Sequence, residues 1–487
     1  MQHKFISTVS LLILLGNQAF GQWTKLPHLA ENVISVYIAD SNLLAGTEAG
    51  IYHTKDEGNT WDTATGINTI ATSFAQEGKK LLVSSYEQVF QSMDYGTSWT
   101  ALPTIYTFQN VNKIVVSDRR YVVGMDGSGV WFSEDGGTAW RSSNSSWQSR
   151  NTDIVHKGNM LVASYTGSGY LQISSTGGQT WYAPGGNGLK IGSSSAFQDV
   201  YCLAVKDDSV LIAGTQNNGV YTSNDGVYFS YDDGNNWSKE VNGLTTTAVN
   251  SIVVVRDLIF LGTKGGGVFY SDDEGKNWTP LNNGLSNLTI NKLYSQGTTL
   301  YAGVSTGIFK VDVCALLKKD LTLNVVGSTT IKAGDSVMLV AQSNVANVDW
   351  YLNDVLIPKH KGNIYFAKDS GNYKAVIAYS PSCRDTSNVV SVVVTSLAGI
   401  KEAIYPKGVL KIYPNPSNGT VSFDAAAMEH TEQSEVFIYD VSGRLIKTFP
   451  LKQNSLLTTN GWNNGIYLAV VRSSNKISQP QKFTVAE

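Results

Sequence analysis

A nine-residue pattern that recurs six times constrains the fold of this chain more than any other feature. Each copy has Ser or Thr at its second position, Gly at the sixth and Trp at the ninth, and five of the six have Asp at the fourth. The copies are HTKDEGNTW, QSMDYGTSW, FSEDGGTAW, ISSTGGQTW, FSYDDGNNW and YSDDEGKNW. The copies follow one another at intervals of a few tens of residues. Repeats with such a period indicate small structural units that stack side by side and cannot bury their apolar faces alone.

Two short apolar strands precede each copy, as in LLAGTEAGIY and LIFLGTKGGGVFY. The first strand of each such pair, which is the second strand of the predicted blade, ends in a small residue. A seventh strand pair, LYAGVSTGIFKV at 300–311, has no copy after it, whereas QWTKL at 22–26 matches NWTPL at 277–281. Counting this first one, the tryptophans fall at positions 23, 61, 99, 140, 181, 237 and 278, in steps of 38, 38, 41, 41, 56 and 41 residues. The pattern predicts an all-β seven-bladed propeller of four-stranded blades over 22–313, in which the strand at Trp23 completes the last blade and closes the ring.

The repeated pattern lies between the third and fourth strand of each predicted blade. In the last copy, Asp273 is placed to accept backbone hydrogen bonds, Gly275 permits a positive φ, and Trp278 packs between neighbouring sheets. Six similar turns around a ring suit a structural role, because a catalytic site needs its groups at one place. In the fourth copy Thr176 stands at the position of the aspartate, a loss that a repeated structural turn can tolerate. The predicted structural residues are Asp56, Gly58, Trp61, Asp94, Gly96, Trp99, Asp135, Gly137, Trp140, Gly178, Trp181, Asp232, Gly234, Trp237, Asp273, Gly275 and Trp278, with Trp23 for ring closure.

With these motifs, residues 22–313 resemble the Asp-box (BNR repeat) propellers. That group includes sialidases, sortilin-type receptors, some xyloglucan-cleaving glycosidases and the photosystem II assembly factor. The resemblance implies that the Asp-boxes face away from any active site. It is specific for the fold and does not by itself define an activity.

Catalytic constellations of this group are not evident. Sialidases use an arginine triad and an Arg-Ile-Pro segment, and the propeller region has no Arg-Ile-Pro. Its arginines are Arg119, Arg120, Arg141, Arg150 and Arg256, three of which fall in turns on the Asp-box face. Other glycosidases need two carboxylates about 5–10 Å apart, and the opposite face offers Glu48, Glu87 and Asp126 in separate short turns. We therefore expect no catalytic residues, with a glycoside hydrolase acting on extracellular polysaccharide as the alternative.

The 56-residue step marks an irregular sector. Extra residues lie in YAPGGNGLKIGSSSAFQD, and GVYTSND is followed by a near copy, GVYFSYD, which places Gly226 in the position of Gly129 and Gly267. Both insertions project from the face opposite the Asp-boxes, where aromatic and amide side chains would suit a glycan or peptide. The candidate ligand residues are Tyr182, Lys190, Phe197, Asn217, Asn218, Tyr221, Asn224 and Asp225. The alternative is a replication slip tolerated in a surface loop.

Composition excludes several classes of function. A net charge of −3 without a basic cluster gives no field for nucleic acid. Residues 1–21 have the Lys, the short apolar run and the small residues of a signal peptide, and no later stretch is long enough to span a bilayer. Cys202, Cys314 and Cys383 are too few for a disulfide framework, although a Cys314–Cys383 bridge stays open. No metal site and no cofactor are expected.

Residues 320–396 alternate apolar and polar positions in short strands such as DSVMLVAQS and NVVSVVVTS. The segment resembles an immunoglobulin-like sandwich, with Trp350 as its core tryptophan and Tyr373 as its tyrosine corner. Ala375 stands where antibody domains have a cysteine, so the disulfide between the sheets is absent. The resemblance implies a spacer module.

Residues 397–409 form a predicted linker, and 410–487 contain YPNPSNG, YDVSGRLI and NGIYLAVV in order. Together these blocks resemble the type A sorting domain of the type IX secretion system. The resemblance implies partners in the type IX machinery and its sortase, and a secreted or surface-attached protein of a gram-negative bacterium. The sequence thus predicts an exported propeller that binds a glycan or extracellular protein opposite the Asp-boxes, or else a structural adhesion protein without a small ligand.

Overall fold

The computed structural model describes the chain in fifteen segments: 21–105, 109–144, 150–166, 171–189, 199–216, 225–318, 321–342, 348–395, 410–417, 419–424, 434–441, 443–452, 455–473, 476–478 and 480–486. The chain divides into two compact units, Met1–Leu317 and Lys318–Glu487. Each unit is built almost entirely of β-strands, and the one helix of the described residues is Cys314–Leu317. The fold class is therefore all-β.

The described residues of the first unit form seven antiparallel sheets, six of four strands and one of three. Sheets 1 to 4 consist of Ser35–Ala39, Asn42–Thr47, Gly50–Thr54 and Asp62–Thr63; of Ser73–Glu77, Lys80–Ser84, Val89–Ser92 and Thr100–Ala101; of Val111–Ser117, Arg120–Met125, Val130–Ser133 and Arg141–Ser142; and of Asn151–Lys157, Met160–Tyr165 and Leu171–Ser174. Sheets 5 to 7 consist of Val200–Lys206, Val210–Thr215, Val227–Ser230 and Ser238–Lys239; of Val249–Val255, Leu258–Thr263, Val268–Ser271 and Thr279–Pro280; and of Lys292–Gln296, Thr299–Val304 and Gly307–Asp312 with Thr24–Lys25.

The seventh sheet combines both ends of the first unit. Thr24 pairs with Lys310 and Lys25 with Phe309, so a strand from the start of the chain forms the outer edge of the last sheet. The first strands of successive sheets lie against one another, and the first strand of sheet 7 lies against that of sheet 1. The sheets are thus arranged as in a β-propeller.

The small residue at the end of each second strand has a steric cause. A Cβ on Gly214 would lie 2.5 Å from the sulfur of Cys202 and 2.7 Å from a methyl carbon of Val249 in the next sheet. A Cβ on Gly303 would come within 2.8 Å of Val33, the residue that leads into sheet 1. Neighbouring sheets approach too closely at this point for a larger side chain.

One side chain at each of the seven junctions donates a hydrogen bond to a main-chain carbonyl in, or just before, the first strand of the next sheet, and we call this set the inter-sheet belt. The donors stand at the start of each first strand or just before it, on the same face of the propeller. Its bonds are Ser35 Oγ to Ala71 O (2.7 Å), Thr72 Oγ1 to Val111 O (2.6 Å), Asn112 Nδ2 to Asn151 O (2.8 Å), Thr152 Oγ1 to Val200 O (2.5 Å), Cys202 Sγ to Val249 O (3.8 Å), Asn250 Nδ2 to Ile290 O (2.7 Å) and Asn291 Nδ2 to Val33 O (2.9 Å). The last bond closes the belt between sheets 7 and 1.

Apolar side chains fill the space between neighbouring sheets. Phe229 of sheet 5 and Phe269 of sheet 6 are buried in one cluster with Trp278. Similarly, Leu44 of sheet 1 and Phe90 of sheet 2 share a cluster with Trp99. Each of these interfaces buries a large apolar area, which is the main favourable contribution to folding.

The second unit begins with two sheets around one core. One sheet contains Thr322–Val326, Val337–Gln342 and Ile364–Ala367; the other contains Thr330–Lys332, Val390–Thr395, Gly371–Ala378, Asp349–Leu352 and Val355–Lys361, with Arg384–Thr386 paired at its side. Trp350 and Tyr373 are buried between them, and the Tyr373 hydroxyl donates to Asp369 O at 3.0 Å. Cys314 and Cys383 are both disulfide-bonded, and Cys202 is a buried free thiol.

The C-terminal part has its own core, which includes Phe423, Val436 and Phe483. One sheet contains Lys411–Tyr413, Thr420–Asp424 and Ser455–Thr458; the other contains Leu445–Pro450, Glu435–Asp440, Gly465–Ser473, Lys476–Ile477 and Gln481–Val485. Within this second unit a further apolar cluster, Met338, Val340, Tyr439 and Val470, joins the C-terminal part to the sheet that contains Val337–Gln342.

Candidate functional site

The aspartates of the repeated nine-residue pattern, which we call Asp-boxes after the family that the pattern resembles, accept hydrogen bonds within their own turns. Asp273 Oδ1 accepts bonds from the Ser271 hydroxyl (2.8 Å) and the Asn277 main-chain N–H (2.9 Å), and its Oδ2 accepts one from Asn277 Nδ2 (2.7 Å). The same arrangement holds at Asp56, Asp94 and Asp232, and at Asp135 with main-chain donors. In the fourth copy the Thr176 hydroxyl accepts the Thr180 N–H at 2.9 Å.

These bonds favour the ionised carboxylates. The Thr60 main-chain N–H and the hydroxyls of Thr54 and Thr60 lower the pKa of Asp56 to about 2. At Asp135 the Ala139 N–H, and at Asp232 the Asn236 side chain, likewise hold the pKa below its usual range. At Asp94 and Asp273, burial raises the pKa, but hydrogen bonds from Ser98 and Asn277 outweigh it. A carboxylate held in this way is a poor proton donor or acceptor at neutral pH.

The tryptophans and glycines of the pattern complete the turns. The indole N–H groups of Trp99, Trp181 and Trp237 donate to the glycine carbonyls of their own boxes, at 2.9, 2.8 and 3.0 Å. Five of the seven tryptophans are buried, and Trp61 and Trp140 are half-buried. The glycines Gly58, Gly96, Gly137, Gly178, Gly234 and Gly275 all have a positive φ between 82° and 91°. Trp23 is 2% exposed, and its indole donates to Leu281 O at 2.7 Å.

Most of the ligand residues predicted from the insertions lie outside the described residues, namely Lys190, Phe197, Asn217, Asn218, Tyr221 and Asn224. Of the other two, Tyr182 is exposed beside the outer strand of sheet 4, where it pairs with Ile173. Asp225 is half-buried just before the third strand of sheet 5. The next residue, Gly226, accepts the Thr215 N–H at 2.9 Å, which is the bond that Gly267 accepts from Thr263 at 3.0 Å. In sequence, 217–224 therefore lie between the second strand, which ends at Thr215, and the third, which begins at Val227.

A pocket of about 410 Å³ opens on the face opposite the Asp-boxes, where the first strands begin. Residues of sheets 1, 5, 6 and 7 line it: Asn32, Ile34, Tyr201, Gln216, Asn250, Lys264, Thr289 and Asn291. Gln216 is the last described residue before 217–224, the segment to which the sequence assigns one of the two insertions. Sequence reasoning missed all eight residues. The available signal was the asparagine before or within the first strands, in ENVIS, QNVNK, AVNSI and TINKL.

Amide side chains dominate this lining. Two of them are fixed by the inter-sheet belt, since Asn250 and Asn291 each donate to a carbonyl of the following sheet. Gln216 Nε2 donates to Val249 O at 3.3 Å and to Asn250 Oδ1. Tyr201 is half-buried and Lys264 is exposed. Burial raises the pKa of Tyr201, and Asp199 and Asp225 raise it further against the opposing effect of Arg150. The Tyr201 side chain is therefore a neutral aromatic group next to amide side chains that are fixed by their own hydrogen bonds.

The residue that follows the belt donor in sheets 3, 4 and 7 forms, together with the belt donor Cys202 of sheet 5, a group of polar side chains. We call this group the channel cluster: Lys113, Asp153, Cys202 and Lys292. Lys113 Nζ lies 2.8 Å from Asp153 Oδ1. Although burial opposes ionisation, Lys113 and then Lys292 hold the pKa of Asp153 below its usual range. Burial lowers the pKa of Lys292, and Lys113 lowers it further. Burial also raises the pKa of the Cys202 thiol, which stays protonated.

The acids considered for glycoside hydrolysis are not in the pocket lining. Glu48 accepts a hydrogen bond from Asn32 at 3.4 Å, and Asp126 lies 4.0 Å from Arg150. Glu87 belongs to the turn of sheet 2. In the described part of the chain, no group of three or more His, Cys, Asp or Glu residues is placed to hold a metal ion. Nor does that part contain a helix long and apolar enough to cross a membrane.

Comparison with known families identifies residues 411–486 as a secretion system C-terminal sorting domain. This domain indicates export by the type IX secretion system, to the cell surface or the medium. A second family profile, RNA cap guanine-N2 methyltransferase, matches residues 182–383. That segment crosses the boundary between the two units, and its described residues do not show the alternation of parallel strands and helices that binds nucleotide cofactors. The second match therefore carries no functional argument.

No curated protein matches the chain. Among solved structures, "YCF48 bound to D1 peptide" is 15% identical, covering 61% of this chain and 98% of its own, with a TM-score of 0.48. The GH74 xyloglucanase from Xanthomonas campestris is 10% identical, covering 94% and 87%, with a TM-score of 0.47. The GH74 enzyme of Niastella koreensis is 13% identical, covering 94% and 80%, with a TM-score of 0.45. Likeness at this level carries no argument about activity. The protein is an exported, nearly all-β propeller protein with a sorting domain.

Proposed function

We propose that the protein is a secreted or surface-attached glycan-binding protein whose ligand occupies the pocket opposite the Asp-boxes. In this proposal the seven sheets are the seven blades of a propeller over 22–313, after a signal peptide at 1–21. Residues 320–396 form an immunoglobulin-like spacer, 397–409 a linker, and 410–487 the part that the type IX machinery and its sortase recognise. The Asp-boxes are structural turns.

The observation that supports this proposal is the chemistry of the pocket lining. Carboxamide groups both donate and accept hydrogen bonds, as sugar hydroxyls do. Asn250, Asn291 and Gln216 are held in place by hydrogen bonds of their own, so little side-chain entropy is lost on binding. Tyr201 adds an aromatic surface, and a volume of about 410 Å³ lies within the range of ligand sites. A glycoside hydrolase has less support, because no carboxylate is found among the described residues that line the pocket.

The test is a glycan array with the full chain from residue 22, followed by calorimetry on the strongest ligand. Tyr201→Ala removes the aromatic surface and none of the belt bonds, and we expect at least a tenfold loss of affinity, or about 1.4 kcal/mol. Tyr231→Ala is the matched control, because Tyr231 directly follows the third strand of the same sheet, is 60% exposed and lies on the Asp-box face. Its affinity should equal that of the unaltered chain. Equal affinity in both variants would place the ligand elsewhere, and release of reducing ends would favour the hydrolase.

A further inference from the structure

The inter-sheet belt uses one structural position, from which two sheets depart. This belt position is the residue just before the first-strand partner of the small residue that ends the second strand or stands next to its end, such as Gly303. In five sheets the residue at this position donates the belt bond itself: Thr72, Asn112, Thr152, Asn250 and Asn291. In sheets 1 and 5 it is Ile34 and Tyr201, and the donor is the next residue, Ser35 or Cys202.

Both of these exceptions line the pocket. The belt positions of the consecutive sheets 5, 6, 7 and 1 contribute, in that order, Tyr201, Asn250, Asn291 and Ile34 to the lining. The belt bond is kept in both exceptions, but in sheet 5 its donor is a thiol, a weak hydrogen-bond donor, at 3.8 Å. A belt position that passes its structural bond to a neighbour indicates another task for its own side chain.

Asn291 lies beside Ile34 and keeps one polar atom free. Its Nδ2 donates to Asn32 Oδ1 and to Val33 O, both at 2.9 Å, and these two residues directly precede Ile34 in the chain. With both N–H groups engaged the carboxamide is fixed, and its Oδ1 accepts no hydrogen bond from the described residues. This part of the lining therefore presents a fixed acceptor next to the half-buried aliphatic side chain of Ile34.

We propose that Asn291 and Ile34 bind an acetamido group of the pocket ligand, so that the ligand is a glycan containing N-acetylhexosamine. This inference rests on the proposed function and names the class of its ligand. An acetamido group has an N–H that can donate to Asn291 Oδ1 and, two bonds away, a methyl group that gains from contact with an aliphatic side chain. A sugar hydroxyl at the same place has no methyl group for Ile34. Tyr201 is left for the apolar face of a sugar ring.

A peptide also carries N–H and methyl groups, but the other free groups of the lining favour a sugar. Asn250 Nδ2 uses one of its two N–H groups for the belt bond. Gln216 Nε2 donates to Val249 O and to Asn250 Oδ1, and its Oε1 accepts no hydrogen bond from the part of the chain that the structure describes. A remaining donor and a remaining acceptor thus match sugar hydroxyls, which both donate and accept.

The experiment compares two tetrasaccharides of the same linkage by calorimetry on the full chain from residue 22. One consists of N-acetylglucosamine and the other of glucose, so they differ only in an acetamido group or a hydroxyl at the same carbon of each ring. We expect the acetamido form to bind at least about tenfold more tightly, because it adds a buried methyl group and a hydrogen bond. Neither form is charged, so charged side chains do not bias the comparison.

Substitutions at Ile34 test its role. Ile34→Thr keeps the branch at Cβ but brings in a hydroxyl, and we expect it to reduce the preference for the acetamido form to within about threefold without changing the affinity for the glucose form. Ile34→Val should keep most of the preference. Leu288→Thr is the matched control, because Leu288 is 40% exposed and directly precedes Thr289 of the lining without being a lining residue itself. It should leave the preference intact. All three variants keep Ser35, the belt donor of sheet 1.

The outcomes separate the two proposals. If no glycan binds, the proposed function fails. If another glycan binds but neither tetrasaccharide does, or if both bind equally, glycan binding stands and the acetamido class is wrong. An unchanged preference in Ile34→Thr would overturn the role of Ile34. Tighter binding of tetra-alanine, which carries N–H and methyl groups on a peptide, would overturn the sugar as the ligand. The comparison of the tetrasaccharides needs no variant, so it decides the ligand class even if Ile34→Thr does not fold.

Discussion

The two units join their sheets by different means. In the first unit the junctions between sheets repeat the same polar devices: a belt bond near the start of the first strand at all seven junctions, and one of the six copies of the nine-residue turn at the other end of sheets 1 to 6. In the second unit, the C-terminal part packs on the preceding sandwich through Met338, Val340, Tyr439 and Val470, which form a small apolar cluster. The first unit therefore has seven similar junctions between its sheets, which we call joints. In the second unit, the C-terminal part and the preceding sandwich are held by one joint, the apolar cluster.

Single residues at the joint of the second unit show how closely its two parts approach each other. The joint of the second unit brings Gly443 so close to Val340 that a Cβ would lie 1.9 Å from a methyl carbon, and Asn363 Nδ2 donates to Val441 O at 3.2 Å. Tyr439 is 4% exposed there, and burial raises its pKa to about 12. A single substitution can therefore block this joint, while a defect at one of seven repeated joints leaves six in place.

The largest expected effect tests the one joint of the first unit that is not local in sequence. Trp23→Ala removes a buried indole and its bond to Leu281 O, and we expect the free energy of unfolding to fall by about 3–5 kcal/mol. Trp61→Ala, at the matching place in sheet 1, removes a half-buried indole whose N–H donates to Pro27 O, so its cost should be clearly smaller. Urea denaturation of both variants measures the difference. Equal costs would mean that Trp23 has no special part in closing the ring.

The second expected effect concerns the apolar joint of the second unit. Val340→Asp places a charge where 1% of the side chain is exposed, and we expect a loss of about 2–4 kcal/mol from that joint. In a chain with a protease site inserted in 397–409, the cleaved C-terminal part should stay bound to the unaltered protein. It should separate from the Val340→Asp variant during gel filtration.

The matched control for this experiment is Val355→Asp, because Val355 is 71% exposed in the same unit. Its cleaved fragment should stay bound. A fragment that separates from the unaltered chain as readily as from the Val340→Asp variant would show that the cluster contributes little to holding the two parts together.

The sequence predicts the two units unequally for the same reason. In the first unit a strand pair and an Asp-box recur with nearly constant spacing, so the strands, the turns and the pairing of Thr24–Lys25 with the last sheet follow from the pattern. The joint of the second unit leaves no such signal, because Met338 and Val340 look like ordinary strand residues that alternate with core positions. Strand periodicity shows which residues share a face, but it does not show which module covers that face.

The candidate site was predictable from the sequence only in part, for the same reason. An irregular spacing predicts a ligand site near the insertions, and one lining residue, Gln216, directly precedes an insertion in the sequence. Its other lining residues come from sheets far apart in the chain, such as Asn32 and Asn291, and only ring closure brings them together. The channel cluster was not predictable from the sequence either. Lys113 and Asp153 are 40 residues apart in the sequence, and Asp153 and Lys292 are 139 residues apart.

The smallest expected effect separates the charge of an Asp-box from its hydrogen bonds. Asp273→Ala leaves the Asn277 N–H without its acceptor, and we expect a loss of about 1 kcal/mol, since the turn is partly solvated. Asp273→Thr should lose less than that, because Thr176 accepts the equivalent N–H from Thr180 at 2.9 Å in the fourth copy. Urea denaturation at pH 7 ranks the two variants. If Asp273→Thr is as unstable as Asp273→Ala, the hydroxyl of the fourth copy is tolerated there and does not replace the carboxylate, and the six turns of the first unit are less equivalent than their geometry indicates.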